Sequence, residues 1–498
     1  MALRETQEAD EASYGHLRSG RKRAAVRGVF WSALSGVVPA GVSAGVFAVT
    51  SRYLTPAEFG LVALAASIAL LASAIAPAGF GQALIQREAI GRAHLDSVFW
   101  LCLGTALAIF GGLVLAGPWL AWLLDEPGLA IFVPVLAARV VFDLVAVVPN
   151  ALLTRAMSFE KMAWRATFAS LVAGAVCLVL LFMGYGIWAL ALSQIASSIA
   201  ICVGSLLAVN WLPSWRFSVG ALRELARYGM FASGHRIIRL LNVDQILIGA
   251  LLGAAPLGVF SFARRIFQIL NDLIAGALNS VSYTLMSSLQ SEREKLQEAF
   301  LFSTFASSAI SFPVFVGMGA VSGDLVPMLF GDHWLEAVPA IQGFCFIGLL
   351  SCIGILQASL ITSQGHAGWW FYYLAAKQVV TALIIVCFYR FGVTALVLAM
   401  ALQNILMWPA SVKMVLKILN VGPGAYLRPF LAPAVASAVM LAGVMAIQRF
   451  GPNQSAYLHL LSQVAAGALT YSLVLLALDS TRILQVRDLI MKRRPVAA

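Results

Sequence analysis

Residues 98–122 read VFWLCLGTALAIFGGLVLAGPWLAW, a stretch without a single charged side chain. A helix needs about 20 consecutive apolar residues to span the hydrocarbon core of a bilayer, so this run is long enough to cross. Its glycines and its proline fit that reading, because membrane helices tolerate both better than soluble ones do.

Thirteen further runs of similar character accompany it, near 29–50, 59–83, 129–152, 165–184, 187–208, 229–252, 257–286, 299–322, 338–361, 369–389, 392–412, 429–447 and 457–478. Across the 498 residues, 61% are hydrophobic and 11% charged. A soluble domain is closer to one half and one quarter, so the expected solvent of this chain is lipid. The net charge of +11 raises nucleic acid as a partner. The basic residues form no patch interleaved with exposed aromatics, however, and nucleic acid is set aside. Cys102, Cys177, Cys202, Cys345, Cys352 and Cys387 all lie within apolar runs, without a C-x-x-C pair. His16, His94, His235, His333, His366 and His459 show no metal-ligand spacing, so no metal or other cofactor is expected. The first run lacks a short apolar core with a small-residue cleavage site, which predicts a retained helix and no signal peptide.

Lys and Arg concentrate in cytoplasmic loops. With the N terminus inside, 24 of the 33 basic residues fall in cytoplasmic segments, Arg52, Arg390 and Arg449 fall outside, and 6 lie within helices. Both termini are therefore expected in the cytoplasm and the helix count is expected to be even.

Internal repetition is visible as well. LTPAEFG (54–60) aligns with LGAAPLG (252–258), ALLT (151–154) with SLIT (359–362), and GIWALAL (186–192) with GVTALVL (392–398). The shifts are nearly constant and span six helices, so the two halves enter the membrane from the same side as a parallel repeat. The expected fold is all-α: a polytopic membrane protein of about 14 transmembrane helices, with two pseudo-symmetric six-helix lobes around a cavity plus two C-terminal helices. The expected divisions are a cytoplasmic segment at 1–26, an N-lobe at 27–212, a C-lobe at 213–415, the last two helices at 416–480, and a basic cytoplasmic tail at 481–498.

The intramembrane basic residues are Arg139, Arg236, Arg239, Arg264, Arg265 and Lys377, and the acidic ones are Asp143, Asp244 and Asp272. Each would cost about 2.5–3.5 kcal/mol at the bilayer centre, so they must face one another or water. At 100° per residue, Ser261, Arg264, Arg265, Gln268, Asn271, Asp272 and Asn279 fall on one stripe of the eighth run. On the seventh, His235, Arg239 and Asn242 share a face, with Arg236 beside them and Asp244 nearly opposite. Arg139 and Asp143 are spaced i,i+4, where an internal salt bridge is the simplest account. Asp272 stands seven residues from Arg265 and is placed to neutralise one arginine. Lys377 has no acidic neighbour one turn away. The excess of positive charge, concentrated in the second lobe, calls for an anionic guest, with Arg236, Arg239, Arg264, Arg265, Lys377, Gln268 and Asn271 as its candidate binding residues. Asp244, Asp272 and Asp143 are alternatives for coupling to a proton or sodium gradient.

RGVFWSAL (27–34), SRYLTPAEFGL (51–61) and GFGQALIQR (79–87) resemble the amino-terminal signature of bacterial polysaccharide flippases. These belong to the multidrug, oligosaccharidyl-lipid and polysaccharide exporter superfamily. The resemblance extends over about residues 20–480 and implies a paired-lobe transporter of the bacterial inner membrane. It would export an undecaprenyl-diphosphate-linked repeat unit for capsule, O-antigen or exopolysaccharide, alongside polymerase and export machinery as partners. Two other readings stand beside it: a cation-coupled drug exporter of the same superfamily, which would need an acidic cavity, and a membrane-bound polysaccharide polymerase. The polymerase would need a large external loop, and the longest expected one, near 323–337, has about fifteen residues.

Overall fold

A computed structural model describes residues 21–226, 229, 242–289, 292–450 and 455–491, and among these every regular element is a helix. Ten of the described helices are long and apolar enough to cross a membrane. The protein is a multi-pass membrane protein. Its outward residues agree with a lipid solvent: Leu115 is 82% exposed and Leu207 81%, positions that would be costly in water.

The helices form two compact units, residues 1–254 and 255–498. In the first, Arg92–Leu123 packs on Leu129–Val145, Phe159–Phe182 on Ile187–Ala208, and Arg21–Tyr53 on Phe159–Phe182. In the second, Arg293–Phe330 packs on Val338–Ser363, which in turn packs on Gly392–Leu419. The first unit extends past residue 212 because Val243–Leu252 packs on Pro56–Ala74, where Ser67 Oγ donates to Gln245 Oε1 at 2.7 Å.

Proline decides where two expected spans break. Pro77 has no N–H for the carbonyl of Ser73, and the helix Pro56–Ala74 stops there before Gly79–Gln86 resumes. Pro149 likewise leaves the carbonyl of Val145 without its donor, dividing the fourth span into Leu129–Val145 and Val147–Arg155. Thr55 caps Pro56–Ala74, with Glu58 completing a capping box.

The repeated sequence stretches fall at matching structural places. LTPAEFG and LGAAPLG each lie where one helix ends and the next begins. ALLT and SLIT each close a helix. GIWALAL and GVTALVL each start with a glycine at positive φ, Gly186 at 49° and Gly392 at 84°, followed by a long helix. Only glycine adopts such a turn without strain.

The last two helices, Pro423–Phe450 and Ala456–Met491, pack on each other and on Arg293–Phe330. Tyr471 Oη donates to the carbonyl of Ala309 at 2.7 Å, and the buried Gln463 donates to Asp324 Oδ2 at 2.7 Å. The connection expected near 323–337 is mostly helical: Arg293–Phe330 runs into it, and the 3-10 turn Asp332–Ala337 follows. That turn inserts the fully buried Trp334 against Phe262, ring centroids 3.9 Å apart.

Candidate functional site

The helix Ala254–Ser288 divides into two faces. Phe260, Phe262, Ala263 and Ile266 are buried, with Phe260 edge-on to Phe344 and Phe262 to Phe330. Arg264, Arg265, Gln268 and Asn271 are half-buried and Asp272 is exposed. The apolar side thus anchors the helix in its unit and leaves the stripe from Arg264 to Asp272 outside the packed core, while Ser261, expected on the same stripe, is buried. Asp272 and Arg265 attract one another electrostatically. Arg264 and Arg265 are both in contact with other groups. The side chain of Asn279, and all of Arg236, Arg239 and His235, lie outside the described residues.

Lys377 stands on another helix of the same unit, Ala367–Phe388. Its Nζ donates to Asn404 Oδ1 of Gly392–Leu419 at 2.6 Å. The same pair of helices is joined by Gln403, whose Nε2 donates to the carbonyl of Lys377 at 2.7 Å, and by Thr381, whose hydroxyl donates to Gln403 Oε1 at 3.0 Å. No carboxylate pairs with Lys377 among the described residues. Lys377 borders a cavity of about 240 Å³ between Val338–Ser363, Ala367–Phe388 and Gly392–Leu419, bounded also by Trp370, Tyr373 and Trp408.

In the first unit, Arg139 Nε donates to Asp143 Oδ2 at 3.1 Å and its Nη1 to Gln194 Oε1 at 3.2 Å. The i,i+4 salt bridge is formed within Leu129–Val145, and the hydrogen bond to Gln194 ties that helix to Ile187–Ala208. Asp244, in the first turn of Val243–Leu252, accepts from the backbone N–H of Gln245 at 2.9 Å, one of the N–H groups that a helix start leaves without an intrahelical acceptor. The structure therefore pairs Arg139 with Asp143 and places Arg265 near Asp272, and it gives Lys377 a site of its own.

A further half-buried cation is Arg165, in the first part of the helix Phe159–Phe182. It donates to Asn150 Oδ1 and, at 2.7 Å, to Ser205 Oγ, while Ser205 donates to Asn150 at 3.1 Å. Arg165 Nε is buried without a hydrogen-bond partner. Its stem crosses Gly204, where a Cβ would meet Arg165 Cγ at 3.0 Å. The signal available in the sequence was a polar or small residue at each of three positions close to helix ends, too common to single out.

Outside the spans, Glu224 accepts from Arg87 and lies 3.2 Å from His94 Nε2. The hydrogen bond to His94 and then the Arg87 guanidinium hold its carboxyl below the ordinary value of 4.5. Arg155 donates to the carbonyls of Leu84, Arg87 and Glu88, taking up acceptors left over at the end of Gly79–Gln86. Buried Asp96 accepts from both the backbone N–H and the hydroxyl of Ser214, and Trp100 stacks on Trp215 with centroids 4.4 Å apart. These contacts fasten the connection after Ile187–Ala208 to the start of Arg92–Leu123.

Known proteins resemble this chain in sequence and in fold. A family described as "Polysaccharide biosynthesis protein" matches residues 49–339. The succinoglycan biosynthesis transport protein ExoT of Rhizobium meliloti is 26% identical over 482 residues, 95% of this chain and 97% of its own. The teichuronic acid biosynthesis protein TuaB of Bacillus subtilis is 25% identical over 457 residues, covering 90% of this chain and 94% of its own. Among solved structures, the lipid II flippase MurJ in an inward closed conformation superposes with a TM-score of 0.71 at 13% identity, over 95% of this chain and 98% of its own.

Proposed function

Because this chain belongs to the polysaccharide biosynthesis protein family, we propose that it is a flippase, a transporter and not an enzyme. Its cargo is an undecaprenyl-diphosphate-linked oligosaccharide repeat unit, carried across the bacterial inner membrane toward exopolysaccharide, capsule or O-antigen synthesis. The observation that supports this most directly is the sign of charge in the second unit: among its described candidate residues, Arg264, Arg265 and Lys377 stand against Asp272 alone. Charges at membrane depth are expensive and are retained for a purpose. A cationic drug would need the opposite sign.

In this reading the arginine forks take the diphosphate oxygens bidentately, which a lysine cannot do. Arg264 and Arg265 form that clamp with Gln268 and Asn271 beside them, and Arg236 and Arg239, outside the described residues, stand as further candidates from the sequence. The isoprenoid tail stays in the bilayer. Two parallel repeats suit alternating access, each side of the membrane being reached in turn. Asp244, Asp272 or Asp143 would carry any coupling to a proton or sodium gradient. Asp143 is the weakest of the three, since its salt bridge with Arg139 already accounts for it. The polymerase that consumes the flipped unit is the expected partner.

Deleting the gene should make the lipid-linked oligosaccharide accumulate on the cytoplasmic leaflet and abolish the polymer. Restoration by the wild-type gene, and failure of restoration by a folded Arg239→Ala/Arg264→Ala double variant, would support both the function and the clamp. An unchanged polymer and intermediate after deletion would sink the function. Full complementation by the double variant would sink the clamp alone.

A further inference from the structure

We infer that the cavity beside Lys377 is a glycan subsite that receives one acidic pyranose of the repeat unit, separate from the groups that hold the diphosphate. The inference rests on the flippase reading above and adds which part of the cargo this pocket recognises.

Three features of the pocket point to a sugar acid. The first is its charge. Lys377 offers three N–H donors, and among the described residues Asn404 Oδ1 accepts one of them. A half-buried ammonium with an amide oxygen and no carboxylate is under-compensated, and a single carboxylate would balance it. The second is an unused donor. Trp408 Nε1 is buried without a hydrogen-bond partner, although Trp408 borders the cavity. A buried indole N–H normally finds an acceptor, and a ligand hydroxyl or carboxylate oxygen would supply one.

The third is shape. Trp370, Tyr373 and Trp408 give the cavity aromatic walls, with the Trp370 and Tyr373 centroids 5.2 Å apart. A pyranose presents apolar C–H faces and a polar rim, so it suits aromatic walls with polar groups at the edge. The floor is set rigidly: Gln357, 1% exposed, donates to Tyr426 Oη at 2.8 Å and accepts from Ser411 Oγ at 2.9 Å. At about 240 Å³, the cavity is smaller than pockets for drug-sized ligands, roughly 300–1,000 Å³. That is room for one ring, not a chain.

The same features argue against the diphosphate here. A lysine is a compact point charge without the fork that matches phosphate geometry, and aromatic walls add little to a phosphate. An anionic phospholipid headgroup offers related chemistry, so the test must separate it from a sugar.

The experiment reconstitutes the full chain in phosphatidylcholine vesicles. Flipping is measured for two undecaprenyl-diphosphate disaccharides, one ending in glucose and one in glucuronic acid. Lys377→Gln should lower the ratio of acidic to neutral initial rates about tenfold, the loss expected for one charge-assisted hydrogen bond. Trp408→Phe, which keeps a ring and removes the N–H, should lower the ratio in the same direction. It also serves as the test if Lys377→Gln does not fold, as judged by elution and melting in detergent. An equal loss for both lipids would overturn the subsite while leaving the flippase reading intact. So would a Lys377 dependence that appears only when phosphatidylglycerol is added, which would assign the pocket to a headgroup. Failure of the wild type to flip either lipid would overturn the flippase reading and the subsite together.

Discussion

Arg139 and Asp143 are 44% and 38% exposed at their side chains, and at membrane depth that exposure gives their pairing its value. On an aqueous surface such an i,i+4 pair contributes only about 0.3–0.5 kcal/mol. Within a bilayer, removing one partner leaves a charge costing about 2.5–3.5 kcal/mol. Arg139→Leu alone should therefore lower the melting temperature in lipid nanodiscs clearly more than Arg139→Leu with Asp143→Leu. If the double variant is the less stable of the two, the pair is not acting by mutual neutralisation. Glu224 supplies a second test at this scale. Its folded carboxyl titrates below 4.5, so the contact with His94 and Arg87 stabilises the fold above that value and is lost as pH falls through the lower folded value. The melting difference between wild type and Glu224→Gln should persist down to about pH 4.5 and close below it. A difference that closes between pH 7 and 6 would assign the effect to another group. The Arg139 pair could be read from the sequence because both members lie on one helix turn. The Lys377–Asn404 bond could not, since its partners lie on different helices and only packing brings them together.

At the scale of elements, helix contacts depend on positions where no side chain fits. A Cβ on Gly348 would overlap the ring of Phe315, where Val338–Ser363 crosses Arg293–Phe330. Gly354, on the same helix, has nothing within 4 Å of such a Cβ. Gly348→Ala should destabilise by about 1–3 kcal/mol through overpacking. Gly354→Ala should be neutral or stabilise by up to about 1 kcal/mol. Thermal unfolding in detergent compares them directly, and equal melting points would show that the crossing yields without strain. The apolar runs were legible because lipid demands them, whereas their breaks near Ala74 and Ala146 follow from prolines whose effect depends on whether neighbours can satisfy the freed carbonyl. Pro118, Pro313 and Pro409 sit inside unbroken helices. The docking of the last two helices was not legible either. It rests on Tyr471 reaching the carbonyl of Ala309 and Gln463 reaching Asp324, ordinary residues in sequence that become partners only once the helices are packed.

Orientation belongs to the molecule as a whole, because no single loop decides it. Under the proposed topology, 24 basic residues lie on the cytoplasmic side and three on the other. Each Lys or Arg resists translocation only modestly, but the bias accumulates over short loops. Among the described residues the connections are short, so the counting rule applies to them. The connection holding Gly184, Tyr185 and Gly186 has no charge, whereas the one from 209 to 218 carries Arg216 and is followed by Arg223. Alkaline phosphatase, active only outside the cytoplasm, should be active when fused after Tyr185 and inactive when fused after Ser214. A green fluorescent protein at the C terminus should fluoresce, as it does only in the cytoplasm. Phosphatase activity at Ser214, or a dark C terminus on a full-length product, would invert or shift the topology. In that event the excess of basic residues would lie on the outer side, and the retention of Lys and Arg in the cytoplasm would not describe this chain.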